Sequence, residues 1–360
     1  MTEQSAQDVL KKYPPARRFL VGFEGTSAPR ELKELLRQGL AGVVIYPRNF
    51  TSAEGLAALT SEIRTAASGP LLIGIDQEGG TRFSLPEPFT QWPSPELLGK
   101  LGDAQALHDV AHVIGRELRA SGCNLDFAPM LDLHLNPASP VTQVRSYGSD
   151  PELVGRMGAA FLGGLGDAGV LGCAKHFPGH GDAQVDPHED LPIFHGTAER
   201  LEKVELVPFA AAIAAGVATI MTAHILLPKI DGEQPASLSR GILTGILRQR
   251  LGFGGLILAD DLAMGAIARR YSVGDATVAT FTAGADIAML CHDISQGEPA
   301  MAATRRALED GTLSRDEWVA AGERVEGVLA AIPSEGESLN VIGCDEHCAF
   351  GAILRERLKN

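Results

Sequence analysis

The alternation of short apolar runs with amphipathic stretches is the feature that most limits how this chain can fold. Helix-periodic stretches separate the apolar runs, at Arg30–Gln38, Ala53–Ala67, Gln105–Ala120, Pro151–Ala168, Ala198–Ala215, Arg240–Arg250, Ala276–Ala283 and Gly297–Glu309. The runs themselves read as buried strands, and they are Arg18–Phe23, Gly42–Tyr46, Leu71–Asp76, Asn124–Leu131, Val170–His176, Thr219–His224, Leu256–Asp260 and Asp286–Cys291. Eight strand–helix units in 360 residues predict an α/β fold, a single (β/α)₈ barrel of the TIM type. A doubly wound sheet is the second possibility.

The barrel is predicted to fill residues 1–335, with a last helix over Trp318–Ala331. Proline, glycine and serine then break the pattern, so residues 336–360 are predicted to be a C-terminal tail. Within it, Ala349–Leu358 has the pattern of a short amphipathic helix that could dock on the barrel or on another subunit. Cys344, His347 and Cys348 lie close together, but their spacing is not that of a zinc finger, and a surface tail is the simpler interpretation.

Composition narrows the class of partner. A net charge of −14 would repel a phosphate backbone, so we expect no nucleic-acid partner. No apolar run reaches the roughly 18 residues of a membrane span, and the N-terminal residues lack the pattern of a leader, so neither membrane association nor export is expected. Five cysteines, three of them in strand-like runs, favour a reducing cytoplasmic compartment. We expect a monomer or a weak homo-oligomer.

Polar residues follow the predicted strands, where a barrel of this kind carries its chemistry. The densest segment runs from Gly169 to His188, and its ionisable residues would be costly to desolvate unless a ligand or a reaction needed them. They are Lys175, His176, His180, Asp182, Asp186 and His188. The other strand ends carry Arg48-Asn49, Asp76 and Glu78, Asp132, His224, Asp260-Asp261 and His292.

Two patterns with carboxylates are suited to catalysis, and a third is suited to binding hydroxyl groups. One member of the Asp260-Asp261 pair suffices to cap a helix, which leaves the other to face the barrel mouth as nucleophile, base or metal ligand. In Asp186-Pro187-His188, a carboxylate could hold the imidazole in one tautomer, and the proline restricts the backbone between them. Asp76, with the glycines and the arginine that follow it, could grip hydroxyl groups.

The residues alone also permit two rival hypotheses. The first is a metal-dependent barrel hydrolase built on His176, His180, Asp182 and His224. It is weakened because no His-x-His pair at a strand end offers a ready metal site, and we expect no metal or other cofactor. The second is a sugar-binding barrel without catalytic activity, because a fold does not by itself imply a reaction.

Five motifs together resemble glycoside hydrolase family 3, most closely its bacterial β-N-acetylhexosaminidases of the NagZ type. They are Gly74-Ile-Asp-Gln-Glu-Gly-Gly80, Phe127-Ala-Pro-Met-Leu-Asp132, Lys175-His-Phe-Pro-Gly-His-Gly-Asp182, Met221-Thr-Ala-His224 and Asp260-Asp-Leu262. The resemblance runs in order from about Leu20 to about Cys291. It implies a retaining hydrolase that removes terminal non-reducing β-linked N-acetylglucosamine, with peptidoglycan fragments as the source.

The resemblance also implies roles for particular residues. Asp260 matches the catalytic nucleophile, and His188 with Asp186 matches the acid/base pair of this subfamily. The sugar-binding positions are matched by Asp76, Arg82, Arg145, Lys175 and His176. Ala259 replaces the usual hydroxyl residue before the nucleophile, and Pro187 replaces the serine of the family's Asp-Ser-His. Because a neutral imidazole does not repel an anionic acceptor, phosphorolysis stays open beside hydrolysis.

Overall fold

The computed structural model describes residues 5–334 and 336–359. Eight parallel strands form a closed barrel, namely β1 (Phe19–Val21), β2 (Gly42–Val44), β3 (Leu72–Ile75), β4 (Leu125–Asp126), β5 (Leu171–Phe177), β6 (Thr219–Thr222), β9 (Leu256–Asp261) and β10 (Ile287–Leu290). Their spatial order around the barrel is β1-β10-β9-β6-β5-β4-β3-β2. An antiparallel hairpin of β7 (Leu226–Leu227) and β8 (Asp231–Pro235) lies between β6 and β9 along the chain. Each barrel strand overlaps one of the eight predicted runs, so the predicted (β/α)₈ barrel is confirmed.

Helices surround the strands. They are α1 (Ala6–Lys12), α2 (Arg30–Arg37), α3 (Ala53–Ala66), α4 (Pro95–Leu101), α5 (Ala104–Ala120), α6 (Pro151–Asp167), α7 (Ala198–Lys203), α8 (Val207–Ala214), α9 (Gly265–Ala268), α10 (Val273–Ala283), α11 (Gly297–Glu309), α12 (Arg315–Ala330) and α13 (Asp345–Arg357). A π-type helix spans Gly241–Arg250. Short 3₁₀ turns lie at Pro15–Arg18, Pro47–Asn49, Gln143–Arg145, Ala236–Leu238, Ile294–Gln296 and Leu339–Val341.

The single helix predicted over Ala198–Ala215 is wrong in one respect, because the segment forms two helices, α7 and α8. Val204 leaves the helical conformation, with φ −127° and ψ −74°. Pro208 then occupies the first turn of α8, where its missing N–H is tolerated. In a continuous helix the same proline would interrupt the hydrogen bonding of the interior.

Apolar side chains pack in two layers, one inside the barrel and one between strands and helices. On β1, Leu20 belongs to the inner layer, whereas Phe19 and Val21 belong to the outer layer. This alternation follows from the period of two in a strand. Because both faces are buried, the strands read as continuous apolar runs.

The C-terminal segment packs onto α5 through a buried polar cluster. Glu117 accepts hydrogen bonds from the Thr90 hydroxyl (2.6 Å), the Gly343 N–H (3.0 Å) and His347 Nδ1 (2.9 Å). His347 is only 1% exposed, so the expectation of a surface tail is wrong at this residue. The predicted amphipathic helix is present and docked on the barrel, beginning at Asp345 rather than at Ala349. None of the helices in the described ranges is long and apolar enough to cross a membrane.

Candidate active site

The carboxyl ends of the barrel strands surround a cavity of about 230 Å³. This is the end at which barrels of this type carry their chemistry. The cavity is lined by all eight residues to which the resemblance assigns a role, namely Asp76, Arg82, Arg145, Lys175, His176, Asp186, His188 and Asp260. Of the residues in the rival metal hypothesis, His180 lines it as well, whereas Asp182 and His224 do not. Residues that lie up to 184 positions apart in the sequence therefore share one small space.

Asp260 lies near the end of β9, half-buried, with its side chain lining the cavity. Its Oδ1 accepts a hydrogen bond from the Asp261 N–H at 2.8 Å. Burial raises the pKa of the Asp260 carboxyl, but the nearby His224 and His176 lower it more, and the net pKa lies below the ordinary value of 3.8. The carboxylate is therefore ionised at neutral pH and available as a nucleophile.

Asp261 has a different position, because its carboxylate is already used. Oδ1 accepts from the backbone N–H groups of Ala263 and Cys291, each at 3.1 Å. Oδ2 accepts from His292 Nδ1 at 2.6 Å, and this hydrogen bond raises the pKa of His292. Asp261 also lines the cavity, but with these three donors and an exposure of only 3% its carboxylate mainly holds the strand ends together.

His188 and Asp186 form the predicted pair. Asp186 Oδ1 accepts from both the backbone N–H (2.9 Å) and Nδ1 (2.7 Å) of His188. Because a carboxylate only accepts, Nδ1 carries the hydrogen, and Nε2 is the nitrogen free to exchange a proton with a substrate. Burial raises the pKa of Asp186, but the hydrogen bonds from His188 lower it more. The His188 side chain is 62% exposed, and that of Asp186 is 28% exposed.

The loop that carries this pair is fastened to the helix that follows the nucleophile strand. The Gly265 N–H donates to the His188 carbonyl at 3.3 Å, and the Ala266 N–H donates to the Pro187 carbonyl at 3.1 Å. A side chain at position 265 would meet this loop, since a Cβ there would lie 2.5 Å from the His188 carbonyl oxygen. Close backbone contact thus sets the height of His188 above the barrel.

A buried ion-pair network lines the opposite part of the cavity. Lys175 Nζ donates to Asp76 Oδ1 (2.7 Å) and lies 2.6 Å from Glu78 Oε1. Arg145 holds Glu78 in a two-pronged contact, from Nε at 2.8 Å and from Nη2 at 2.7 Å. Burial raises the pKa of Glu78, but the charges of Arg145 and Lys175 lower it by more, so that the net pKa is about 2. The pKa of Lys175 is raised, because Asp76 and Glu78 outweigh the effect of burial.

Glu78 was not among the predicted site residues, although it binds two residues that were, Arg145 and Lys175. It lies behind Lys175 and Arg145, with a side-chain exposure of 2%. The signal available in the sequence was its position two residues after Asp76 at a strand end.

Arg82 and Phe83 form the outer rim of the cavity. Arg82 is exposed and donates to the Pro140 carbonyl at 3.2 Å. Phe83 has a φ of +50°, unusual for a bulky residue, and its ring centroid lies 4.3 Å from the Arg145 guanidinium carbon. Nothing in the sequence marked Phe83, because its position depends on how this loop folds back over the ion pairs.

His176 and His180 converge on Asp132, which is fully buried. Asp132 accepts from Nδ1 of His176 at 2.7 Å and lies 3.2 Å from Nδ1 of His180. It also accepts the backbone N–H of each, at 3.2 and 2.6 Å. Burial lowers the pKa of His176 despite the attraction of Asp132, so the ring is neutral near pH 7 and offers Nε2 to the cavity as a hydrogen-bond acceptor.

The same three residues are the one group among the described residues with suitable spacing for a metal ion, their ligand atoms lying within 4.8 Å of one another. The Asp132 carboxylate accepts four hydrogen bonds from the two histidines, whereas the buried Nε2 of His180 has no hydrogen-bond partner within the described ranges. His224, also considered as a ligand, bonds Ser237 through Nδ1 (2.7 Å) and the Asp261 carbonyl through Nε2 (3.0 Å). Burial lowers its pKa, and both ring nitrogens are used.

Comparison with known proteins places this geometry in a family. The model of the glycosyl hydrolase family 3 N-terminal domain matches residues 19–328. A β-hexosaminidase of Thiobacillus denitrificans is 38% identical over 259 residues, 70% of this chain and 72% of its own length. One from Chromobacterium violaceum is 36% identical over 85% of this chain and 87% of its own.

A solved structure agrees with these relatives. The glycoside hydrolase family 3 β-N-acetylglucosaminidase from Paenibacillus sp. str. FPU-7 superposes with a TM-score of 0.90 at 37% identity, over 96% of this chain and 68% of that one. The chain therefore belongs to glycosyl hydrolase family 3 and is a glycoside hydrolase of the β-hexosaminidase class.

Proposed function

We propose that this enzyme is a retaining exo-β-N-acetylglucosaminidase that works through a covalent glycosyl intermediate on Asp260. The observation that carries the proposal is that an ionised Asp260 and the oriented Asp186–His188 pair line one cavity. The cavity of about 230 Å³ is smaller than the ~300–1,000 Å³ of sites for drug-sized ligands, which suits one terminal sugar. An enzyme of this shape would remove sugars singly from a chain end.

In the first step, the Asp260 carboxylate attacks the anomeric carbon while His188 Nε2 gives its proton to the departing glycosidic oxygen. The C–O bond to the leaving group breaks, and a glycosyl ester forms on Asp260. In the second step, Nε2 takes a proton from water, and the resulting hydroxide displaces the ester with a second inversion. Asp186 stabilises the imidazolium of the first state through the hydrogen bond to Nδ1.

The sugar itself would be held by the opposite wall. Asp76 and Lys175 present an acceptor and a donor for hydroxyl groups, and their mutual ion pair fixes both side chains before substrate arrives. His176 adds an acceptor at Nε2, with its ring orientation set by Asp132. Arg82 is placed at the rim, where it could contact the outer part of the substrate.

The test uses an aryl N-acetyl-β-glucosaminide beside the matching aryl β-glucoside, with wild-type enzyme, Asp260→Asn and Asp182→Asn. Asp182 is the matched control because it is an exposed carboxylate in the loop that carries His188. We expect turnover of the first substrate, reduced by about three orders of magnitude or more in Asp260→Asn and unchanged in Asp182→Asn. Undiminished activity in Asp260→Asn would show that another residue is the nucleophile.

The covalent step has its own test. A slow-reacting 2-fluoro glycoside should give an adduct of one sugar mass, and digestion should place that mass on the peptide containing Asp260. An adduct on any other peptide, or turnover with inversion at the anomeric carbon, would contradict the mechanism.

For the natural substrate, we propose a peptidoglycan fragment in the cytoplasm. The resemblance to NagZ-type enzymes supports the substrate, and five cysteines that are all free thiols, three of them buried, support a reducing compartment. A larger kcat/KM for N-acetylglucosaminyl-anhydromuramyl peptide than for chitobiose is expected. The reverse preference would reassign the source to chitin, and co-fractionation with a periplasmic marker would contradict the compartment.

A further inference from the structure

A cluster of guanidinium groups surrounds one buried carboxylate at the end of the barrel opposite the active site. Arg18 directly precedes β1, and Asp286 directly precedes β10. Arg248 lies on the π-type helix before β9, and Arg324 lies on α12, which packs under the barrel. All four residues are thus near the amino ends of the strands.

Asp286 already has two arginines and a backbone N–H as partners, and Arg324 approaches its Oδ1 from Nη2 as well, at 2.9 Å. Its Oδ2 accepts from Arg248 Nη2 and from the Ile257 N–H, and its Oδ1 accepts from Arg324 Nε at 2.9 Å. Arg18 instead bonds only main-chain carbonyls, those of Asp286 and Ala285. One carboxylate therefore serves two guanidinium groups, and the third has no carboxylate partner of its own.

Arg18 is deeply buried. It is 2% exposed, and its guanidinium carbon lies 4.8 Å from the Phe281 ring centroid and 4.3 Å from that of Trp318. Among the described residues, Nη1 of Arg18 has no hydrogen-bond partner. An unpaired charged donor in such a place is costly and rare, and it needs an explanation beyond packing on two rings.

The local charge is positive in a chain whose net charge is −14. Burial lowers the pKa of Arg18 to about 9, an effect opposed by Asp286 and strengthened by Arg324 and Arg248. The side chain is still cationic near pH 7. Three guanidinium charges and a single carboxylate leave a surplus of positive charge that an anion would neutralise.

A cavity of about 260 Å³ opens between these groups. Its lining includes Arg18, Arg248 and Arg324, together with the ion pair of Arg240 and Glu317, whose atoms lie 2.6 Å apart. Guanidinium forks match the oxygens of phosphate groups, and several forks around one space are a common way to bind them. The mouth is partly open, because the side chain of Arg324 is 32% exposed.

We propose that this cavity is a binding site for a phosphate group, separate from the catalytic cavity. Arg324 would hold the phosphate oxygens from the side, and Arg18 and Arg248 would supply positive charge, because Nη1 and Nη2 of Arg248 already donate to the Phe253 and Gly255 carbonyls and to Asp286. The group could belong to free inorganic phosphate or to a phosphate monoester, and both present the same dianionic oxygens. The alternative is that the arginines serve only to fasten α12 to the barrel floor through Asp286.

Thermal unfolding and calorimetric titration at constant ionic strength separate these two roles. Wild-type enzyme, Arg324→Gln and Arg305→Gln are compared in inorganic phosphate, in glycerol 1-phosphate and in chloride. Arg305 is the matched control, an exposed arginine on the neighbouring α11. Arg324→Gln is expected to fold, because Arg248 and the Ile257 N–H still satisfy Asp286.

A phosphate site predicts that at about a hundred times Kd the wild-type Tm rises by roughly 3–4 °C over chloride, for a chain of this length. Arg305→Gln should show the same rise in Tm as the wild type. Arg324→Gln should bind phosphate at least tenfold more weakly than the wild type but hydrolyse an aryl glycoside at the wild-type rate. A response to the monoester alone would identify the source as an organic phosphate. No response to either anion, or the same response in Arg324→Gln, would overturn the proposal and leave the arginines a structural role.

Discussion

Replacing Glu78 by glutamine tests whether the buried ion-pair network stabilises both the fold and the sugar site. Glu78 accepts two bonds from Arg145 and lies 2.6 Å from Lys175 Nζ, at a side-chain exposure of 2%. Lowering its pKa from 4.5 to about 2 corresponds to about 3 kcal/mol of stability at neutral pH. The substitution also leaves the buried cations Arg145 and Lys175 with one fewer carboxylate, which brings the expected loss in the free energy of unfolding to about 3–5 kcal/mol.

For 360 residues, that loss corresponds to a fall in Tm of roughly 4–6 °C. The dependence on pH has a definite sign. Because the pKa of Glu78 is lower in the folded state than in the unfolded state, its stabilisation is complete above about pH 4.5 and is lost as the pH falls toward 2. Wild-type stability should therefore decline through this interval, and Glu78→Gln should lack that part of the decline.

The assay is urea unfolding of both proteins from pH 7 to the lowest pH at which the wild type is folded, with Glu309→Gln as an exposed control on α11. The control should differ from wild type by less than about 0.5 kcal/mol. Because Arg145 and Lys175 lose their common partner, KM for an aryl N-acetyl-β-glucosaminide should also rise. Equal stability of Glu78→Gln and wild type at pH 7, with the same acid slope, would refute this account of the network.

Two further perturbations test the acid/base pair and the C-terminal anchor. Asp186→Asn should leave His188 without its carboxylate acceptor and reduce kcat by about 10²–10⁴-fold for substrates with a poor leaving group, but far less for an activated aryl substrate. A loss independent of leaving-group pKa would argue against general acid catalysis by His188. Glu117→Gln should replace one of the oxygens that accept from Thr90 and His347 by an NH₂ group, which donates. This loss should loosen α13, so that a protease cleaves the chain after residue 336 earlier than in the wild type. Wild-type resistance to limited proteolysis would mean that the other contacts of α13, including those of Arg355 with Gln91 and of Arg357 with Asp103, are enough to hold the helix.

The barrel was predictable because its signal is local and repeated. Each strand is buried on both faces, so it reads as a short apolar run, and each helix shows its own period. The split between α7 and α8 was missed although Pro208 was visible. The apolar pattern continues across it, and only the conformation of Val204 shows that the first helix has ended.

The cavity was predictable in its membership but not in its internal contacts. Barrel closure brings strand ends together, so polar residues at those positions were expected to converge. Cys291 and His292, some thirty residues later in the chain, occupy the carboxylate of Asp261 and so leave that of Asp260 available to act as the nucleophile. Neither carboxylate has a local sequence environment that distinguishes these roles.

What the sequence alone determined is the architecture and the set of side chains at the mouth, because periodicity and the order of strands and helices are properties of neighbouring residues. The tertiary structure decided how those side chains are used. Glu78 became the shared partner of Arg145 and Lys175, and Arg18 was left without a carboxylate. Such outcomes depend on distances between residues far apart in the chain and on how many donors each buried carboxylate can satisfy, and neither quantity exists until the barrel closes.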